Sequence, residues 1–95
     1  MYVEALEMEL HLGQARSLKD KRQVITSLLE QTRRRFGVSS AEVGHQEAWQ
    51  RARLGFAVVA SSAGHAEDVL DAVDRFVWAH PAVEVTSSER TWVET

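Results

Sequence analysis

Cysteine is absent from this chain, which removes a disulfide framework, a thiolate zinc site and a thiol nucleophile at once. Proline occurs once, at Pro81, and glycine five times. With 44% hydrophobic and 26% charged residues, the composition is that of an ordinary globular domain, so disordered and fibrous classes are excluded. Long apolar runs are missing too. The longest, Phe56 to Ala60, falls far short of the roughly 18 residues of a membrane span. The start of the chain carries Glu4, Glu7 and Glu9 instead of a basic stretch followed by an apolar one, so no signal peptide is expected. These absences point to a cytoplasmic protein with no membrane contact, built as one domain over residues 1–95.

What is present is unevenly distributed. The net charge of −3 divides into a central segment and two ends of opposite sign. Arg16 to Arg53 holds nine basic residues against four acids, whereas the flanks hold two basic residues against ten acids. A polyanionic partner for the middle is the natural question. The pI of about 5.8 argues against bulk, nonspecific nucleic-acid binding.

Leu6, Met8, Leu10 and Leu12 alternate with Glu7, Glu9 and His11, the period of a strand buried on one face. Ser17 then offers an N-cap, with Asp20 where a capping box usually has Glu or Gln. Leu18, Lys21, Ile25, Leu28, Leu29, Thr32 and Phe36 recur at helical spacing, with Lys21 able to lay its methylenes along the stripe. A helix over about 18–35 follows, stopped by Gly37. Val38 to His45 reads as a weaker strand, Gln46 to Arg53 as a connection, and Leu54 to Ala60 as a strongly apolar strand. Val69, Leu70, Val73, Phe76 and Val77 mark a second helix closed by Pro81. Ala82 to Val85 is a short last strand, with 87–95 as an irregular tail or an extra strand.

The order β-α-β-β-α-β predicts an α+β, ferredoxin-like sandwich: a four-stranded antiparallel sheet with two helices on one face. Glu7, Glu9 and His11 then face away from the helices, beside a strip of small residues, Gly55, Ala57 and Val59. Such a strip suits another protein sheet or a homodimer. It suits RNA poorly. Gly55-Phe56-Ala57-Val58-Val59 overlaps the third-strand signature of the RNA-recognition motif, but Val58 and Ser61 stand at aromatic positions and glutamates would line the phosphates.

The better anion candidate is the first helix. Arg16, Lys19, Lys21 and Arg22 surround its positive end, and Arg33, Arg34 and Arg35 close the other. These seven residues form the candidate nucleic-acid interface, through phosphate contacts and without DNA sequence reading. The alternative is a solvated basic face. Four histidines lack metal-ligand spacing, no glycine-rich phosphate loop follows a strand, and the serines lack a base, so neither a metal, a cofactor nor catalysis is expected. Trp49, in an otherwise polar connection, either folds over the core edge or anchors an interface together with His45, Gln46 and Arg51. Trp78 and Trp92 fit core-edge and dimer or tail packing.

Three segments also carry a family resemblance: Gly13 to Arg22, Ala41 to Gln46 with Trp49 to Ala52, and His65 to Leu70. In order and spacing they resemble the YlxP-like family of small bacterial proteins, whose function is unknown. The resemblance implies a ferredoxin-like fold. It also implies, from genes that neighbour those of translation initiation and ribosome maturation factors, a role around the ribosome or RNA. It supplies no catalytic residues. The expectation is thus a homodimeric, non-enzymatic protein that meets structured RNA or the ribosome through its basic helix. The alternative is a protein-interaction or small-ligand regulatory module using the open sheet face and Trp49. The turn after the first strand and the turn between the second and third are expected at opposite ends of the sheet.

Overall fold

Alternation at the start of the chain governs the architecture. In the computed structural model, which describes residues 1–93, strand β1 spans Tyr2–His11 and its even-numbered residues from Glu4 to Leu10 are buried. The helix α1 spans Leu18–Phe36, β2 Ser39–Gly44, β3 Arg51–Ala60, α2 Ala63–Trp78 and β4 Glu84–Val93. The antiparallel sheet runs β2-β3-β1-β4, with the two most apolar strands central. Both helices cover one face, which is the ferredoxin-like α+β sandwich expected from the order of elements.

Local chemistry explains the boundaries. Ser17 is extended and its Oγ accepts the Asp20 N–H at 3.0 Å, while the Asp20 carboxylate accepts the Arg16 N–H at 3.0 Å. That is a capping arrangement shifted one residue outward from the usual box. Gly37 ends α1 at φ 67°, a left-handed conformation that costs a side-chain-bearing residue conformational energy, and its N–H donates to Arg33 O. Ser62 caps α2 by accepting from the His65 N–H.

The core lies between sheet and helices. Leu6, Met8 and Leu10 of β1 meet Leu54, Phe56 and Val58 of β3 beneath Ile25, Leu28, Leu70, Val73 and Val77. The opposite face of the central strands holds Glu7, Glu9, Arg53, Gly55, Ala57 and Val59, as the alternation requires. Phe56 is turned into the core, and no Phe, Tyr or Trp side chain lies on the outward face of β1 or β3 among the described residues.

Three expectations need correction. The third strand begins at Arg51, three residues earlier than its apolar run, because Ala52 is buried and Arg53 faces outward in register with Glu9. The last strand starts at Glu84 and runs to Val93, pairing with β1 from His11↔Glu84 to Val3↔Val93, so residues 87–93 are strand and not tail. Residues 94 and 95 lie outside the described residues. The third correction concerns the two turns. His11 pairs with Arg51, so the end of β1 meets the beginning of β3, and the β1–α1 and β2–β3 loops leave the sheet at the same end. Leu12 N–H donates to Gln50 O at 2.8 Å, joining them directly.

Candidate functional site

The joined loops form the most elaborated polar region of the molecule. Lys21 sits one turn into α1 with its side chain fully buried. Its ammonium donates to His45 O at 2.5 Å, lies 2.8 Å from Glu42 Oε2, and reaches Gln46 O at 3.5 Å. Two carbonyl acceptors and an ion pair with the Glu42 carboxylate compensate the ammonium, which explains how a charge can occupy a core position. Lys21 is therefore a strut between α1 and the β2–β3 loop. It is not placed to meet a phosphate, which corrects its assignment to the basic surface.

Two further ties hold the loop. The Gln50 side-chain amide donates to Gly13 O and Ala15 O at 3.2 and 3.1 Å. His45 Nε2 stands 2.6 Å from Glu9 Oε1, and we assign the hydrogen to Nε2 on that distance. Arg51 Nη2, 3.3 Å from the same nitrogen, then meets a donor and not an acceptor, so that contact is no hydrogen bond. His45 itself has φ 60°, the only described residue other than glycine with positive φ. Its strained backbone persists because ring, carbonyl and neighbours are all engaged.

His45 and Glu42 do not share a pocket. Glu42 meets Lys21 on the helix side, whereas the His45 ring joins Glu9, whose partners mark the outward face. Arg53 spans the two glutamates of that face, 2.9 Å from Glu7 and 3.6 Å from Glu9. The hydrogen bond to Glu7 raises the guanidinium further above its already high ordinary value. No group of three ligating side chains that could hold a metal occurs among the described residues.

The remaining expected cations divide into two sets. Arg33 donates to Ser40 O at 2.6 Å, and Arg35 lies over the rings of Phe36 and Phe76, which themselves pack edge to face. Arg16, Lys19, Arg22 and Arg34 are exposed, and none has a carboxylate within 4.0 Å among the described residues. Lys19 and Arg22, three residues apart, share one flank of α1. Arg33, three turns further on that flank, reaches β2, so the flank lies beside the β2 edge. The backbone of the helix start is less available than its cations, because Ser17 and Asp20 already occupy the capping positions. Trp49 is 55% exposed and Gln46 and Arg51 are exposed, so Trp49 does not fold over the core.

A second polar group was not anticipated. Glu4 is 3% exposed on β1, with Oε1 unpartnered. Burial pushes its carboxyl above the ordinary value, Arg90 opposes this, and Glu67 and Asp71 reinforce it. Arg90 of β4 pairs with Asp71 at 2.7 Å and Asp74 at 3.6 Å, beside a cleft of about 440 Å³ walled by Trp78. The even numbering that Glu4 shares with Leu6 and Met8 was the signal for its burial. Trp78, expected at the core edge, is 58% exposed, while Trp92 packs edge to face on Tyr2.

A small ferredoxin-like domain with this loop arrangement matches the family model described as "Protein of unknown function (DUF503)" over residues 3–90, and the chain belongs to that family. Among its relatives is the uncharacterized protein YlxP of Bacillus subtilis (strain 168), 37% identical over 86 residues that cover 90% of this chain and 94% of the relative. No helix among the described residues is long and apolar enough to cross a membrane.

Proposed function

We propose that this protein is a non-enzymatic, homodimeric binding protein that contacts structured RNA, free or within the ribosome, through phosphate contacts. The cations are Arg16, Lys19, Arg22 and Arg34, with Arg51 from the neighbouring loop. One observation carries the proposal: these cations remain exposed and have no carboxylate partner among the described residues, although the molecule has more acids than bases. Elsewhere Arg53 and Arg90 are each held by two carboxylates. The outward sheet face, with Glu7 and Glu9 and no Phe, Tyr or Trp on its central strands among the described residues, takes no part in RNA contact. The proposal carries a cytoplasmic location with it.

Binding of a labelled RNA hairpin at two salt concentrations tests it. With about three phosphates neutralised, affinity falls roughly 20- to 40-fold between about 50 and 200 mM salt. The triple variant Arg16→Ala, Lys19→Ala, Arg22→Ala flattens that dependence. Absence of binding at the lower salt concentration rejects the proposal.

A second reading rests on the outward apolar strip of exposed Val43 and Val59 with half-buried Gly55 and Ala57, which suits a protein partner or a second copy of this chain. In that case Val59→Glu abolishes self-association or partner binding, and the α1 cations are dispensable.

A further inference from the structure

Trp49 is an exposed aromatic on a segment that is tied down on every side. Lys21 holds the carbonyls of His45 and Gln46 from α1, Glu9 holds the His45 ring from β1, and Gln50 is bonded to the β1–α1 loop on the other flank. Within the loop, Ala48 N–H donates to His45 O at 3.0 Å. A loop this constrained could shelter an indole against Leu12 or Ala15, both of which are buried just beneath the same end of the sheet. Instead the indole is left 55% in solvent. Exposing a large apolar ring on a rigid support costs solvation free energy but removes the ordering cost of binding, the combination found at aromatic binding anchors.

The surroundings specify what the ring meets. Arg51 follows two residues later with its guanidinium not engaged by any carboxylate of the described residues, and Arg16, Lys19 and Arg22 belong to the adjoining helix start. An aromatic platform bordered by cations is the arrangement by which proteins hold a base by its π-face while its phosphates are neutralised alongside. We infer that Trp49 stacks on an unpaired base, so that the RNA recognised by this end of the molecule is a hairpin loop, bulge or single-stranded end adjoining a helix. The inference rests on the phosphate-binding proposal above and narrows its ligand. Fully paired RNA offers the same phosphates but no free base face. It therefore engages the cations alone.

The test compares two RNAs with one stem sequence, a hairpin with an unpaired loop and a blunt duplex, by fluorescence anisotropy at about 50 mM salt. The native protein binds the hairpin at least 5-fold more tightly, the lower bound of one stacking interaction. Trp49→Ala erases that preference and leaves duplex affinity unchanged, whereas Trp49→Phe retains part of it. Unchanged melting temperatures show that the variants are folded. As an independent readout, a Trp78→Phe, Trp92→Phe protein carries Trp49 as its only indole, and its emission is quenched by the hairpin and not by the duplex. Equal binding of both RNAs, or a Trp49→Ala loss shared equally between them, overturns the stacking inference while leaving phosphate binding intact. Failure to bind either RNA overturns both.

Discussion

Replacing Lys21 by methionine keeps most of the side-chain volume but deletes the ammonium that joins α1 to the β2–β3 loop. Its removal strands the Glu42 carboxylate, of which 18% of the side-chain surface is exposed, and leaves the His45 carbonyl without its 2.5 Å donor. Breaking one partner of a buried ion pair costs about 3–5 kcal/mol. Partial solvation of Glu42 moves the expectation to the lower end, about 3 kcal/mol, and the lost donor opposes any further relief. For a domain of this length each kcal/mol corresponds to about 4–8 °C, so the melting temperature falls by about 12–24 °C. Thermal and denaturant unfolding followed by far-ultraviolet circular dichroism measure it. A Lys21→Met, Glu42→Leu double variant recovers more than half of the loss, because no charge is then left alone. A single variant that loses less than about 1 kcal/mol, or a double variant less stable than the single, refutes the description of Lys21 as a paired, buried strut.

Glu4→Gln stabilises the protein at neutral pH. The Glu4 carboxyl is raised by burial from its ordinary value of 4.5, so its favourable, protonated state is complete below that value and is lost as pH rises through the elevated one. The glutamine variant lacks this decline, and the two unfolding curves converge in acid; a constant difference at all pH values contradicts the assignment. Gly37→Ala costs about 1 kcal/mol in urea unfolding through backbone strain alone, since no atom lies within 4 Å of the added methyl group. Ser17→Ala costs about 1 kcal/mol by removing the acceptor of the Asp20 N–H, and Ser17→Asp restores it.

The legible parts of the molecule are those where one face is buried and the other wet. Leu6 to Leu12 and Ile25 to Thr32 announce their elements because burial imposes a period of 2 or 3.6 on hydrophobicity. Strand β4 is an edge strand in which Val85 is the only buried residue, so Thr86 to Thr91 shows no alternation from which its full length could be read. Lys21 was visible as a member of the apolar stripe, yet a lysine there is ordinarily explained by its methylenes. It is the tertiary fold that brings Glu42 and two carbonyls to its nitrogen. The loops' meeting follows from antiparallel pairing of β1 with β3, a consequence available from the expected fold itself. The Glu9–His45 pair, separated by 36 positions, left no local trace.

The pairing of Val3 with Val93 has a practical consequence. The start of β1 and the end of β4 lie side by side, at the pole of the sheet remote from Trp49, with some 30 Å of β-ladder between. A fluorophore or affinity handle attached there stays clear of Trp49 and of the cations at the start of α1. A circular permutant that bridges those neighbours and reopens the polypeptide between α1 and β2 should preserve the cationic end untouched.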